Sequence, residues 1–309
     1  MADFQPGTPE EAAFLAELIA RRLLVPTGVP GVYGRGEDFE RVREGFDALV
    51  TRIAAPDGAE RLHFPPLLPR QQLEGSGYLK SFPHLAGSIF GFEGSEKDAI
   101  EQEERAVRHE DWSEHQVMTD LVLLPAACYP VYPAIAQRGA LPAGGITIDP
   151  GAAYVFRHEP SGDPARLQMF HQREMVRFGE PDTVAEWRDA WRDRALKIFR
   201  RVGLEPQKEV ATDPFFGRAG RMLAANQRAQ ELKFEVLIPI ASPGPTAVAS
   251  FNYHQDHFTH TFGIAMADGG VAHTACLGFG LERITLGLFH AHGFDIAAWP
   301  AKVTRELWP

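Results

Sequence analysis

The chain has 309 residues, of which 44% are apolar and 23% charged, and its 31 basic and 41 acidic side chains give a net charge of −10. This composition excludes an intrinsically disordered chain, and the length allows a sizeable core in one large domain or in two unequal ones. The acidic balance disfavours a broad nucleic-acid surface, and the lack of an apolar run of about 18 residues or of a secretory signal indicates a cytoplasmic protein.

Capping signals and apolar periodicity predict that the chain begins with helices. Thr8, with Glu11 three residues later, is the start signature of an amphipathic helix over about residues 8–24. Residues 62–69 are predicted to be an extended segment interrupted by prolines. The other predicted helices, the third of them capped by Thr183, span residues 38–53, 95–104, 183–203 and 281–292.

Runs of β-branched and aromatic residues predict strands that mostly follow one another without intervening helices. These strands span residues 120–124, 152–157, 169–177, 233–238, 247–253, 259–266 and 271–276. Their order indicates an α+β fold with a mainly antiparallel sheet flanked by helices, rather than a doubly wound α/β fold.

Two segments carry chemistry, although the sequence lacks the phosphate-loop, dinucleotide, nucleophile-elbow and HExxH signatures. Residues 157–159 (Arg-His-Glu) end one predicted strand and lead through a polar turn into a second. On that second strand Phe170, Gln172 and Glu174 share one face, because side chains alternate along a strand. Residues 278–283 (GFGLER) form a glycine-rich turn that opens the closing helix.

With these segments the chain resembles the class II aminoacyl-tRNA synthetases, since residues 157–159 match motif 2 and residues 278–283 match motif 3. The resemblance is greatest to seryl-tRNA synthetase. Residues 123–130 are similar to its substrate loop, and residues 233–239 and 250–252 to its later sheet segment. The resemblance covers most of the chain and implies a class II synthetase core that activates an amino acid with ATP.

The resemblance implies an ATP site with two catalytic arginines, Arg157 and Arg283. Arg157 would bind the α-phosphate, because fixed positive charge is needed where negative charge develops on phosphorus. Arg283 and Phe170 would enclose the adenine by cation–π contact and stacking, and Arg166 would reach the β- and γ-phosphates. Taken singly, Arg157 and Glu159 could instead form an ion pair, and Phe170 could be a core residue. The remaining implied ATP contacts are Glu159, Leu167, Glu235, Ser250 and Asn252.

The resemblance also implies two metal ions. Glu235 would bind Mg²⁺, although Thr246 replaces the second acid of the synthetase pattern. Cys128, Glu174 and Cys276 match the ligands of zinc-dependent, archaeal-type seryl-tRNA synthetases. Two thiolates and a carboxylate leave one position of a tetrahedral Zn²⁺ open for the substrate's α-amino group. The alternative is two buried free cysteines. Three further histidines are interpreted as polar lining or surface residues: His254, His257 and His260.

The acceptor of the activated amino acid is inferred from departures from the synthetase pattern. Only about 60 residues precede the core, without the heptads of a tRNA-binding coiled coil, and no anticodon-binding domain follows it. The chain thereby resembles the amino acid:[carrier protein] ligases, which are homodimers that pass the aminoacyl group to the phosphopantetheine thiol of an acidic carrier protein. A small amino acid is expected: glycine, alanine or serine. The alternatives are a minimal seryl-type synthetase acting on tRNA and a non-catalytic synthetase-like binding protein.

Two basic segments are candidates for docking the carrier, because opposite charge favours association. An insertion over residues 213–229 contributes Arg218, Arg221 and Arg228. The helix from Thr183 is also basic, but interleaved acids allow a merely solvated face; its cations are Arg188, Arg192, Arg194, Lys197, Arg200 and Arg201. The expected organisation is a single catalytic domain over residues 1–309, with a helical N-terminal extension (1–60) and a helical insertion (183–230).

Overall fold

The computed structural model describes residues 4–242 and 244–309, apart from the side chains of Arg218 and Ala219. The helices are α1 (Pro9–Ala20), α2 (Glu37–Ala54), α3 (Arg70–Gly75), α4 (Tyr78–Ser81), α5 (Glu96–Val107), α6 (Val131–Ala136), α7 (Pro181–Arg201), α8 (Gly217–Ala229), α9 (His257–Phe262), α10 (Leu281–His292) and α11 (Ala301–Leu307). The strands are β1 (Leu24–Pro26), β2 (Tyr33–Arg35), β3 (Glu60–Arg61), β4 (Leu67–Pro69), β5 (Ser88–Phe92), β6 (Gln116–Leu123), β7 (Ile146–Phe156), β8 (Met169–Gly179), β9 (Gln207–Val210), β10 (Lys233–Pro239), β11 (Pro245–Gln255) and β12 (His273–Gly280). Within the described ranges, no helix has the length and apolar content needed to cross a membrane.

A seven-stranded sheet in the order β3-β7-β8-β12-β11-β10-β9 organises the molecule. Its neighbouring strands are antiparallel, except for the short parallel pair of β3 with β7. A smaller antiparallel sheet, β4-β6-β5, lies beside it, and β1 pairs with β2. This architecture confirms the predicted α+β class with a mainly antiparallel sheet.

The main core lies between one face of the large sheet and its covering helices. Phe46 of α2 stacks on Phe199 of α7, with ring centroids 5.8 Å apart, and meets the edge of Phe279 of β12 at 6.1 Å. All three rings are fully buried. Burial of large aromatic rings is a major source of folding free energy. Because alternate strand residues point to opposite faces, this packing leaves the other face of the sheet for a pocket.

Most predicted helices are confirmed, with shifts at their ends. The capping box of Thr8 and Glu11 forms as expected, but α1 ends at Ala20 because Arg22 takes a left-handed backbone conformation with φ 57°. The helix predicted from Thr183 begins earlier: Pro181 occupies its first turn and Glu180 its N-cap, so Thr183 is not the cap.

Two local predictions are wrong. Residues 259–266 were expected to form a strand, but α9 occupies the first part of this segment and Gly263, with φ +68°, ends it. Phe258 and Phe262 are four apart, the spacing of one helix face, and both rings stack on buried Tyr132 at 4.0 and 6.1 Å. The expected glycine-rich turn at residues 278–280 is instead the end of β12, which runs directly into α10.

Candidate active site

The open face of the large sheet forms the floor of a cavity of about 990 Å³. Every residue expected in the ATP and metal sites lines this cavity: Cys128, Arg157, Glu159, Arg166, Leu167, Phe170, Glu174, Glu235, Ser250, Asn252, Cys276 and Arg283. Half of these side chains come from strands of the sheet, and the others come from two loops and the start of α10. Residues far apart in the sequence are therefore brought to one site, and their assignment as a site remains a prediction.

Strand register explains why the floor residues converge. On β8 the alternating positions Phe170, Gln172 and Glu174 line the cavity, as predicted. On the neighbouring strands β11 and β12, Asn252 lies opposite Cys276. Antiparallel pairing thus places the pocket-facing side chains of three strands beside one another.

The sheet end of the pocket, defined by Cys128, Glu174, Asn252 and Cys276, contains a buried cluster of metal-ligand atoms. The two sulfurs and a carboxylate oxygen of Glu174 all lie within 4.8 Å of one another. Asn252 donates to the sulfur of Cys276 at 3.4 Å. Oε2 of Glu174 is buried without a hydrogen-bond partner among the described residues. An unpartnered buried carboxylate oxygen beside two thiols fits a bound cation, and this donor set matches Zn²⁺.

The two thiols differ in acidity because they interact with each other. Hydrogen bonding between the thiols raises the pKa of Cys128 well above its usual value, with burial adding to the effect. The same interaction lowers the pKa of Cys276, and His254 contributes in the same direction. Burial raises the pKa of Glu174 well above the usual range, and the negative charge of Cys276 adds to it. The buried negative charge of this cluster is therefore poorly offset unless a cation is bound.

His254 belongs to the sheet end, although the sequence analysis interpreted it only as a lining or surface residue. Its Nε2 lies 3.5 Å from the sulfur of Cys276, and its Nδ1 lies 3.0 Å from the hydroxyl oxygen of Thr274. The alternation from Ser250 through Asn252 places His254 on the pocket face of β11. That period of two is the signal that could have identified it.

The loop end of the pocket, defined by the loop of residues 157–168 with Phe170 and Arg283, gathers positive charge. The guanidinium of Arg157 lies 5.6 Å from the centre of the Phe170 ring. Arg283 donates to the carbonyl oxygens of Ala165 at 2.7 Å and Ala247 at 2.9 Å. Burial lowers the pKa of Arg283, and the nearby cations lower it further. This end is therefore suited to a polyanion, whose charge offsets the repulsion among the guanidinium groups.

Acidic residues are interspersed among these cations. Arg166 lies 3.8 Å from Glu159 and 3.7 Å from Asp163, and about half of its side chain is exposed. Glu235, the expected Mg²⁺ ligand, lies 2.9 Å from Nζ of Lys233. Asp213 lies 2.6 Å from the same lysine nitrogen, so both carboxylates at this position are already paired with a cation of the protein.

The two basic helices differ in how their cations are used. On α7, four of the six cations engage groups of this chain: Arg188, Arg192, Arg194 and Arg201. On α8, Arg221 and Arg228 are exposed and, within the described part of the chain, form no ion pair. The side chain of Arg218 lies outside the described residues. Most of α7 is therefore a self-compensated surface, whereas α8 presents unpaired positive charge.

Two known ligases resemble the chain along almost its whole length. The chain is 47% identical over 306 residues to amino acid–[acyl-carrier-protein] ligase 1 of Bradyrhizobium diazoefficiens, covering 98% of this chain and 93% of that protein. It is 46% identical over 307 residues to ligase 2 of the same organism, covering 99% and 90%. The type-2 serine–tRNA ligase of Methanopyrus kandleri is 25% identical over 294 residues, which is 87% of this chain and 54% of that protein. No protein-family model matches the chain.

Solved structures give the same fold. The M. kandleri seryl-tRNA synthetase, in complex with A. aeolicus tRNASec, superposes with a TM-score of 0.78 at 21% identity, covering 95% of this chain and 60% of that chain. The cytoplasmic serine–tRNA ligase of Naegleria fowleri, in complex with AMP, superposes with a TM-score of 0.70 at 13% identity, covering 99% and 63%. These matches confirm the predicted class II synthetase fold.

Proposed function

The chain belongs to the amino acid–[acyl-carrier-protein] ligases, and we propose that it activates a small amino acid with ATP and transfers it to the phosphopantetheine thiol of a carrier protein. The observation that carries this proposal is one cavity whose sheet end holds a buried set of metal-ligand atoms and whose loop end holds converging arginines. Residues 1–309 then form a single catalytic domain, with residues 1–60 as an N-terminal extension and residues 183–230 as an insertion.

Activation takes place at the loop end. A carboxylate oxygen of the amino acid attacks the α-phosphorus of ATP, the bond to the bridging oxygen breaks, and pyrophosphate leaves with that oxygen's electron pair. Arg157 and Arg166 stabilise the charge on the phosphates, and Phe170 with Arg283 holds the adenine. The fixed carbonyl contacts of Arg283 support this role because they hold its guanidinium in place before ATP arrives.

The sheet end anchors the amine of the substrate. Cys128, Glu174 and Cys276 would hold Zn²⁺, and such an ion, when bound, supplies a Lewis-acid site for the unprotonated α-amino group. Asn252 donates to the sulfur of Cys276 and helps to orient it. The residues of this end thus orient the carboxylate toward the α-phosphate, which converts activation into a reaction between positioned groups.

Thioester formation follows at the same cavity. The thiol of the carrier's phosphopantetheine gives its proton to solvent, and the thiolate attacks the carbonyl carbon of the aminoacyl-adenylate. The bond between that carbon and the phosphate oxygen breaks, and AMP leaves with the electron pair. Helix α8 is the proposed docking surface, because Leu223 and Gln227 line the cavity while Arg221 and Met222 are exposed on the same helix. Exposed cations beside exposed apolar groups suit an acidic carrier protein.

We further propose a homodimer and a cytoplasmic location. Exposed apolar side chains on the small sheet support a self-association surface: Phe90, Phe92, Val117, Met118 and Leu121 are each at least 36% exposed. Phe90 lies directly opposite Met118 across β5 and β6. Size-exclusion chromatography with light scattering tests the dimer, and Phe90→Glu should yield monomers.

The proposed cytoplasmic location is supported by the two cysteines. Thiols that must stay reduced to bind metal suit a reducing compartment.

Two assays test the function. Amino-acid-dependent exchange of pyrophosphate into ATP, measured across the twenty amino acids, should respond to glycine, alanine or serine; no exchange with any amino acid would indicate a binding protein instead. Incubation with labelled amino acid and either holo carrier protein or tRNA then identifies the acceptor. Labelling of the carrier alone is expected, and charging of tRNA without transfer to a carrier would overturn the proposal.

A further inference from the structure

The loop of residues 157–168, called the ATP loop below, is held from outside the sheet by the N-terminal segment. Gln5 donates its N–H to the carbonyl of Pro160 at 3.3 Å, and its own carbonyl accepts from the N–H of Gly162 at 2.8 Å. The hydroxyl of Ser161 donates to the same carbonyl at 3.3 Å. Residues 4–8, called the strap below, thus run alongside the tip of the ATP loop as a short parallel bridge.

Two glycines allow the strap and the loop to touch. A Cβ on Gly162 would lie 2.8 Å from the backbone nitrogen of Gly7, and a Cβ on Gly7 would lie 3.0 Å from the carbonyl oxygen of Gly162. Neither glycine has a positive φ. The absence of a side chain is therefore needed here for close approach and not for backbone conformation.

The strap is fixed at its other end to the body of the protein. Thr8 and Glu11 form the capping box at the start of α1, and Ser242, beyond β10, donates its hydroxyl to the second carboxylate oxygen of Glu11. Glu11 is 7% exposed. Gln5, Pro6 and Glu11 also form part of the wall of the cavity. The strap therefore connects the start of α1 to a loop that lines the pocket.

The rest of the ATP loop has other supports, whereas its tip depends on the strap. At the base, the N–H of Arg157 donates to the carbonyl of Gln168, and Gln168 donates in turn to the carbonyls of Gly31 and Pro30, both at 2.8 Å. At residues 160–162, the described hydrogen bonds that leave the loop all go to Gln5. The tip lies between Glu159 and Arg166, so its position sets where both side chains stand.

We propose that the strap is a positioning element that holds the ATP loop closed over the nucleotide and thereby sets the KM for ATP. The proposal rests on the proposed function, because it takes Arg157, Glu159 and Arg166 to bind ATP. The hydrogen bonds of the strap order the ATP loop before ATP binds. Less of the binding free energy is then spent on ordering the loop. Within the described residues, the hydrogen bonds of the strap go to the ATP loop and to the start of α1, and none goes to the sheet end. The strap is therefore expected to act on ATP and not on the amino acid.

The test compares wild-type protein with a variant that lacks residues 2–7 and with Gly162→Ala. Either change separates the strap from the loop and leaves Arg157, Glu159 and Arg166 in the sequence. In pyrophosphate exchange, the KM for ATP should rise about tenfold, the effect of losing two or three hydrogen bonds. The KM for the amino acid should stay within about twofold, a split that general destabilisation would not produce.

A double-variant cycle and a matched glycine sharpen the test. In the truncated chain Gly162→Ala should raise the KM for ATP no further, because its clash partner Gly7 is gone. Gly75→Ala is the control, since a Cβ there meets nothing within 4 Å, and it should leave both KM values unchanged. Additive effects of truncation and Gly162→Ala, or an unchanged KM for ATP in both variants, would overturn the proposal.

Hydrogen exchange separates failure of this proposal from failure of the proposed function. In wild-type protein the amide of Gly162 should exchange slowly, and truncation should accelerate it while the amides of β8 keep their protection. If no amino acid supports pyrophosphate exchange, the proposed function fails, and binding of a non-hydrolysable ATP analogue to the two variants still tests the strap. Equal protection of Gly162 in both proteins would show that the strap does not hold the loop.

Discussion

The two ends of the pocket are built by different means. At the sheet end, strand hydrogen bonding fixes Glu174, Asn252 and Cys276, and all of them lie over a fully packed core. At the loop end, Arg157 and Arg166 stand on a loop whose tip is held by another segment of the chain. The difference indicates that the sheet end can be altered only by replacing one of its own groups, whereas the loop end can also be altered by a change in the segment that supports it.

The largest effect is expected at the sheet end. On the proposed function, Cys276→Ala should lose the bound zinc and reduce pyrophosphate exchange more than about a thousandfold, because it removes one of three ligands of an ion that would contribute several kcal/mol to transition-state stabilisation. Metal content by mass spectrometry and the exchange rate check this. Leu277→Val is the control, since the neighbouring side chain points into the core. Full activity of Cys276→Ala would rule out a catalytic metal at this end.

At the loop end, Arg157→Ala should lower pyrophosphate exchange by about a hundredfold, the usual effect of removing one preorganised group from developing charge. Bound zinc, if present as proposed, should remain at the wild-type level, because Arg157 supplies none of the metal-ligand atoms of the sheet end. Exchange kinetics and metal content measured on the same sample check both statements. Simultaneous loss of zinc and activity would contradict the independence of the two ends.

An ion pair on the wall of the pocket joins a buried lysine to a partly buried carboxylate. Lys233 lies 2.6 Å from Asp213, whose other oxygen accepts from Gln227 of α8. Burial raises the pKa of Asp213, but Lys233 and Gln227 lower it below its usual value overall. Lys233→Met should therefore cost about 2 kcal/mol of unfolding free energy, because the partly buried carboxylates of Asp213 and Glu235 lose their shared partner.

The pH dependence of this loss has a definite sign. In the wild type, the lowered pKa of Asp213 contributes stability above the unfolded value of about 3.9, and that contribution is lost as the pH falls through the folded pKa. In Lys233→Met burial raises the pKa instead, so the deficit should grow as the pH rises from 4 to 7. Urea unfolding at several pH values measures it, and a deficit that shrinks over this range would contradict the assignment.

The smallest effect is expected for Arg221 and Arg228, the exposed cations of α8 that do not line the pocket. Replacing Arg221 and Arg228 by Glu should raise the KM for the carrier protein about tenfold and leave pyrophosphate exchange unchanged, because only docking is affected. The matched control reverses two exposed cations of α7, Lys197 and Arg200, and should change neither quantity. Equal effects of the two pairs on carrier transfer would indicate general electrostatic attraction rather than a docking surface.

The features that follow a local rule were predictable from the sequence. The capping box at Thr8, the closing helix α10 and the common face of Phe170, Gln172 and Glu174 depend on spacing within a short stretch, and the structure has each of them. The resemblance then linked Cys128 with Cys276, which the register of the sheet brings to one end of the pocket. The predicted zinc and magnesium ligands remain predictions.

The features that were missed depend on contacts between distant segments. Segment α9 was predicted as a strand because nothing local shows that Phe258 and Phe262 pack on Tyr132. The sequence left open whether the cations of α7 dock a partner or belong to a solvated face, and it could not show that acids as remote as Asp57 and Glu306 pair with two of them. Charge in a sequence shows how many cations exist, while only the fold shows which of them already have partners.

The passage from β12 into α10 joins the two ends of the pocket by eight continuous residues, from Cys276 to Arg283. On the proposed function, Cys276 holds the amine side of the substrate and Arg283 holds the nucleotide side. The length of this passage therefore fixes the distance between the two anchors. The amine and the carboxylate are common to all α-amino acids, so this distance does not distinguish one amino acid from another. Selectivity falls to the walls of the cavity, which can diverge between relatives while the chemistry of the anchors stays unchanged.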